Sequence, residues 1–169
     1  MQYLALGEDG QQDLLARLEA MPAFVESAFA ALPANAATAR TADGTFSPVE
    51  QCWHLADLER EGFRARIGRL LAERDPELAD FDGTRIAEER RYRTLSLAEG
   101  LRAFRAARAE TLALLRSIEG ETWKRAGRQE GVGAVMLCDL PSMMAQHDAA
   151  HRSEIEAWAA SRSRDGGVR

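Results

Sequence analysis

Apolar residues recur three or four positions apart in four long segments, the spacing of one face of an α-helix. The first segment extends from Gln11 to Leu32 and contains Pro22. Either the helix kinks at this proline, or a short helix ends and a second one begins with Pro22 in its first turn. The following residues, Pro33 to Phe46, are rich in turn formers and predict a loop.

The second helix is predicted from an N-terminal signal of three residues. Ser47 is a good cap, Pro48 suits the first helical position, and Glu50 completes a capping box. The helix is expected to continue to about Glu73, and a polar connector from Arg74 to Thr94 follows. The apolar core stripe of this second helix comprises Val49, Cys52, Ala56, Phe63, Ile67 and Leu70.

A second capping box, Ser96 to Glu99, begins the third helix, and Gly120 stands where a stop signal belongs. The glycine-bearing segment from Glu121 to Cys138 is expected to be an irregular crossover, after which a fourth helix starts near Asp139. Four amphipathic helices without a convincing strand pattern predict an all-α four-helix bundle. Because the connections are not all short, a simple up-down-up-down order does not follow.

Size and composition fit one globular domain. The chain has 169 residues, of which 46% are hydrophobic, so we expect a single helical domain over residues 1–162 and a flexible tail over 163–169. A net charge of −5 argues against nucleic acid as a partner, because phosphate binding needs a concentrated basic face. We find no apolar run of membrane-spanning length or targeting segment, and Cys52 and Cys138 form no C-x-x-C pair. These features predict a soluble cytoplasmic protein with two reduced, buried thiols.

The chemistry is concentrated in the fourth helix, where His147 and His151 are four residues apart. This spacing places both imidazoles on one face, and here that face is the apolar stripe. A histidine without a partner in a bundle core is costly, and a metal ion would supply that partner. The alternative is a pair of histidines that are satisfied by core hydrogen bonds or lie at a helix end.

His54, in the second helix, is the chain's remaining histidine and a candidate third ligand. Three imidazoles from two helices could leave coordination positions open for water or substrate. On an ideal helix, which turns by about 100° per residue, His54 points away from Cys52, Phe63 and Leu70. Three explanations stay open: the helix is enclosed on more than one side, it bends, or His54 is a surface residue.

Two motifs resemble the DinB/YfiT-like family. They are Ser-Pro-x-Glu followed by WHLADLE over residues 53–59, and QHDAAH over residues 146–151. The resemblance extends from about Pro22 to Trp158 and includes the glycine-rich crossover. It implies a four-helix bundle of the family's own topology, often dimeric, with His54, His147 and His151 as metal ligands.

The resemblance also implies a range of activities. Related proteins include bacillithiol- or mycothiol-dependent S-transferases, a mycothiol-dependent isomerase and members without a known activity, and their metal is usually zinc or nickel. The resulting expectation is a divalent-metal enzyme, a thiol S-transferase or hydrolase, that activates thiol or water for a small-molecule substrate. The resemblance also implies a homodimer. The alternative is a non-catalytic bundle, with or without metal, that acts in stress response or small-molecule binding.

Several charged residues near the histidines are candidate supporting groups. Asp148 could orient a histidine through a hydrogen bond. For each candidate, a solvated helix charge or an i,i+4 ion pair is the simpler interpretation. The set comprises Asp148, Glu154, Asp57, Glu59 and Arg152.

Overall fold

The computed structural model describes residues 3–30, 32, 34–41 and 44–165. Seven α-helices lie within these ranges, and short 3₁₀ turns join several of them. They are α1 (Gly7–Phe29), α2 (Ala34–Ala37), α3 (Pro48–Asp57), α4 (Ala65–Ala72), α5 (Gly83–Glu89), α6 (Leu97–Arg116) and α7 (Leu140–Asp165). A π-helical segment, Leu58–Arg64, joins α3 to α4.

The four predicted helices are confirmed as α1, the continuous α3–π–α4 rod, α6 and α7. Both predicted caps, Ser47 and Ser96, form hydrogen bonds at the start of their helices. Ser47 donates from its backbone N–H and its hydroxyl to Glu50 Oε2, at 3.0 and 2.6 Å, and Ser96 Oγ accepts from the Glu99 N–H. Helix α7 continues to Asp165, beyond the predicted domain limit of residue 162, and the rest of the predicted tail, 166–169, lies outside the described residues.

Helix α1 passes through Pro22 as one helix instead of ending there. A proline inside a helix removes the amide that would bond to the carbonyl four residues earlier, here that of Leu18. The Leu18 carbonyl oxygen accepts instead from Arg108 Nη1 of α6, at 2.8 Å. A side chain from another helix thus satisfies the group that the proline leaves without its backbone partner.

Three short strands form a small sheet, which corrects the expectation of no strands. The strands β1 (Glu77–Leu78), β2 (Ala126–Gln129) and β3 (Gly133–Met136) lie in the order β1-β2-β3. The β1–β2 pair is parallel and joins the two predicted connectors, and β2–β3 is antiparallel. Strands of two to four residues are too short to show a period-two pattern, so the sequence did not reveal them.

The rod is the central element of the bundle. Every residue from Ser47 to Glu59 is buried except Trp53, so α3 is enclosed on several sides. A Cβ atom at Gly100 of α6 would lie 2.9 Å from Cys52 Cβ, and this glycine therefore permits the close approach of α6 to α3.

The apolar core has two main clusters. The first cluster includes Met144 of α7, and the second includes Ile155 of the same helix. The predicted ligands His147 and His151 lie between these two residues in the sequence. Both cysteines are buried and unpaired, as predicted. None of the helices in the described ranges combines the length and apolarity needed to cross a membrane.

Candidate metal centre

The three histidines converge although they come from two helices. His54 lies on α3, while His147 and His151 lie one turn apart on α7. His147 Nε2 is 3.4 Å from His54 Nε2 and 3.0 Å from His151 Nε2. One nitrogen from each ring lies within 4.8 Å of the other two. Within the described residues, this is the group of His, Cys, Asp or Glu side chains that could hold a metal ion.

The position of His54 settles the conflict that the helical wheel raised. His54 is only 8% exposed, so it is not a surface residue. Helix α3 is enclosed on several sides, and the π segment adds a residue to the turn between His54 and Phe63. A wheel drawn through Phe63 and Leu70 with a constant step therefore assigns them the wrong direction relative to His54.

His151 is held by polar neighbours that fix which nitrogen faces the cluster. Its Nδ1 lies 2.7 Å from Gln51 Oε1 and 2.9 Å from Glu154 Oε2, both acceptors. Gln51 Nε2 also donates to Glu154 Oε2, at 2.8 Å. A proton on Nδ1 satisfies this arrangement, and it leaves the lone pair of Nε2 directed toward His147. The bond to His151 is also the first reason that the pKa of Glu154 is lowered.

The other two imidazoles are neutral at ordinary pH. Burial, with a smaller contribution from the neighbouring His151, lowers the pKa of His54 to about 3 and that of His147 to about 2. The cluster brings three Nε2 atoms together, and a single N–H can satisfy only one neighbouring lone pair. Adding protons would place like charges in contact. The donor set therefore suits one cation better than it suits additional protons.

The distances also fit a metal ion. Two nitrogens bound to one tetrahedral Zn²⁺ at ~2.0–2.1 Å are separated by roughly 3.3 Å. The two Nε2 separations at His147 are 3.4 and 3.0 Å. The three residues thus fit a divalent ion with nitrogen ligands, without large movement of their helices.

Comparison with known proteins assigns the chain to a family. The model of the DinB superfamily matches residues 13–155. The chain belongs to the DinB superfamily. Its fold also matches that of YfiT from Bacillus subtilis, with a TM-score of 0.84 and 18% sequence identity over 93% of this chain and 90% of that one. YfiT is described as a probable metal-dependent hydrolase with an unusual four-helix bundle topology. No curated protein matches this chain.

Two cavities border the histidine cluster of this DinB-superfamily chain. One, of about 320 Å³, contacts His54 and His151 and has a polar part at Thr45, Thr84 and Glu154; we call it the polar cavity. The other, of about 330 Å³, contacts His54 and His147, and we call it the apolar cavity. The rest of its lining is Leu58, Phe63, Arg66, Asp80, Phe81, Met143 and Gln146. The cluster is therefore reachable from two sides.

Gly83, the first residue of α5, packs edge-on against His54. A Cβ atom at this position would lie 2.6 Å from His54 Nδ1, so only glycine fits without displacing the ring. His54 Nδ1 is buried and has no hydrogen-bond partner among the described residues. Steric contact, including ring contacts with Phe46 and Phe81, therefore positions this imidazole.

Behind the histidines lies a buried ion triad. Arg108 of α6, 2% exposed, forms two hydrogen bonds to Asp148, at 2.6 and 2.9 Å, and an ion pair with Glu59 at 3.0 Å. Burial lowers the pKa of Arg108, but the two carboxylates outweigh it and raise the pKa overall. Burial likewise raises the pKa of Glu59, against the opposing effect of Arg108. Asp148 thus pairs with Arg108, while Glu154 contacts a histidine.

The two remaining candidates, Asp57 and Arg152, contact groups other than the histidines. Asp57 accepts from Arg90 Nη1 and Tyr92 Oη, each at 2.6 Å, and so ties the connector to α3. Arg152 is exposed, with Cζ 3.7 Å from the centre of the Phe24 ring.

Sequence reasoning missed Gln51, Gly83, Arg66 and Arg108. Gln51 was detectable in principle, because it lies one helical turn before His54 in a stretch of buried residues. Arg66 lies on the same rod as His54 but beyond the π segment, and Gly83 and Arg108 reach the site from segments that the sequence does not connect to it.

Proposed function

We propose that this chain is a metal-dependent enzyme of the hydrolase type, with one divalent ion on His54, His147 and His151. The observation that carries the proposal is the convergence of three imidazole nitrogens between two cavities. Three protein ligands leave coordination positions open, as in catalytic rather than structural zinc sites. A divalent ion there would lower the pKa of a bound water or thiol and polarise a substrate oxygen.

Residues of the chain supply the rest of the site. Gln51 and Glu154 hold the proton of His151 on Nδ1, and burial keeps His54 and His147 neutral. The two cavities give a small substrate and a nucleophile separate approaches to the same centre. Zinc and nickel are the metals we propose, since both accept imidazole ligands. The same site would serve S-transfer if a low-molecular-weight thiol took the place of water.

Metal analysis of the purified, tag-free protein tests the ligand set. We expect about one equivalent of Zn²⁺ or Ni²⁺ in the wild type and less than a tenth of this in His151→Ala. Ser153→Ala changes an exposed residue two positions along the same helix, and it should retain the wild-type content. Metal at a hundredfold excess over its Kd should stabilise the wild type by about 2.7 kcal/mol and His151→Ala far less. Equal metal content and equal stabilisation in the two proteins would show that the histidines are not the ligands.

Turnover tests the reaction. Metal-loaded and chelator-treated protein would be assayed with small esters and amides, and then with thiols plus electrophilic substrates. Metal-dependent hydrolysis that is lost in His151→Ala supports the proposal. Thiol-dependent turnover without hydrolysis would assign S-transfer instead, and a protein that holds metal but shows neither activity would favour the non-catalytic alternative.

A further inference from the structure

The apolar cavity contains a buried cation that the proposed reaction does not use. Arg66 of α4 is 6% exposed, and its Nε and Nη2 both donate to the Ala79 carbonyl oxygen, at 3.2 and 3.0 Å. A carbonyl oxygen is a neutral acceptor. The ion-pair partner of Arg66 among the described residues is Asp80, whose side chain is 62% exposed and whose Oδ1 lies 3.8 Å from Nη2. The guanidinium charge is therefore buried with only a weak, solvated counter-charge.

Such a charge normally has a close anionic partner, because burial removes its hydration. The charge of Arg108 in the same bundle shows the contrast, since two carboxylates contact it at 3.0 Å or less. Burial lowers the pKa of Arg66, which is the direction expected for a cation without sufficient compensation. A ligand carboxylate would provide the missing charge and could form two parallel hydrogen bonds with a guanidinium.

The cavity contacts both this cation and the histidines. Phe63 is near both groups: its ring centre is 5.9 Å from Arg66 Cζ and 6.0 Å from the centre of the His147 ring. Leu58, Phe81 and Met143 line the same space, so a ligand body between the two polar ends would meet apolar surface. A volume of about 330 Å³ suits a small molecule of roughly the size of an aromatic acid.

We propose that the apolar cavity binds small carboxylates with an apolar or aromatic body, and that Arg66 holds the carboxylate while the body extends toward His147. The inference rests on the proposed function only in treating this ligand as the substrate. It deepens that function by naming the substrate class: an organic acid with an apolar or aromatic body between its carboxylate and its reacting group. Arg66 is thus assigned as a specificity-determining binding residue.

The experiment compares benzoate with benzamide, which has nearly the same shape but no charge. Each would be titrated into isotopically labelled wild type, Arg66→Gln and Arg69→Gln, in the metal-free and metal-loaded states, and followed by NMR. Arg69 is the matched control, because it lies on the same helix and pairs with Glu73 away from the cavity. We expect benzoate to bind the wild type and Arg69→Gln with equal affinity. Its affinity for Arg66→Gln should be lower by about tenfold or more. Benzamide should bind all three proteins weakly and alike.

A second readout avoids the variant in case Arg66→Gln does not fold. The Arg66 Nε–H resonance of the wild type, assigned by its disappearance in Arg66→Lys, should shift when benzoate is added and stay in place with benzamide. An unshifted resonance, equal affinity for the two compounds, or benzoate binding that survives in Arg66→Gln would each overturn the inference. The metal content of Arg66→Gln should match the wild type. A protein that binds metal but shows no preference for benzoate would refute this inference alone, whereas a protein without metal would refute the proposed function.

Discussion

At the scale of single residues, the site depends on where each imidazole keeps its proton. A neutral imidazole can ligate a metal only through the nitrogen that lacks hydrogen. For His151 the acceptors on Gln51 and Glu154 fix the proton on Nδ1. Nδ1 of His54 has no such partner among the residues that the structure describes, and the ring is positioned by Gly83 and by aromatic contacts. The two ligands are thus oriented by different means, one electrostatic and one steric.

Gln51→Leu should weaken metal binding without unfolding the protein. The substitution removes an acceptor of the His151 Nδ1–H and leaves Glu154 without its amide neighbour. Loss of a partner that orients a ligand typically costs 10–100-fold in metal affinity, and we expect a loss of about that size. A competition titration with a chromophoric chelator measures it. Gln12→Leu makes the same chemical change at an exposed position of α1 and is the control; matching affinities in the two variants would contradict the role of Gln51.

The lowered pKa values of His54 and His147 predict acid sensitivity of the metal-free protein. In the unfolded chain a histidine has a pKa near 6.5, whereas the folded values are about 3 and about 2. As the pH falls below 6.5, the unfolded state therefore binds more protons than the folded state, and stability decreases.

Urea unfolding between pH 6.5 and 5 measures this effect. Each histidine contributes a slope approaching about 1.4 kcal/mol per pH unit toward the lower end of this window, with stability rising as the pH rises. His54→Gln, which removes one of the two groups, should reduce the slope to about half. An unfolding free energy that stays constant over this window in the wild type would rule out buried neutral histidines.

At the scale of secondary-structure elements, the sequence pattern predicted the regular helices and missed the places where helical regularity is interrupted. The four long helices followed from apolar spacing, and the Ser47 and Ser96 caps located two of their starts. The π segment was invisible, because a wheel assumes a constant turn. For this reason the residue patterns alone could not place His54, and only the family motif did.

The two connectors also contain secondary structure that the local sequence pattern did not predict. The segment Arg74 to Thr94 contains β1 and α5, and the glycine-rich crossover contains β2 and β3. Pairing of β1 with β2 links residues about fifty positions apart, at Glu77 with Arg128 and Leu78 with Gln129. Such pairing depends on tertiary contacts, which two-residue strands do not encode locally. Gly83 contacts His54 from one of these connectors, so its contact with the ring could not be predicted from the sequence pattern.

At the scale of the whole molecule, one guanidinium joins all four long helices. Arg108 of α6 donates to the Leu18 carbonyl of α1, pairs with Glu59 of the rod and binds Asp148 of α7. The carbonyl of α1 is available because Pro22 has removed its helical partner. Asp148 directly follows His147, so the triad also fixes the helix that carries two of the three candidate ligands. Proline, arginine and two acids that are distant in sequence thus form one buried structural unit.

Arg108→Met should destabilise the protein by about 3–5 kcal/mol, because two buried carboxylates and the Leu18 carbonyl would lose their partner together. Arg105→Met is the matched control, since Arg105 lies three residues earlier on α6 with an exposed pairing to Glu26, and its change should stay within about 0.5 kcal/mol. The triple variant Glu59→Met/Arg108→Met/Asp148→Leu replaces all three charges and should recover much of the loss, because no uncompensated charge remains. Urea unfolding of the four proteins at pH 7.5 provides the comparison. If the triple variant is less stable than Arg108→Met, the cost lies in lost packing rather than in unpaired charge, and the triad is not the electrostatic link between the helices.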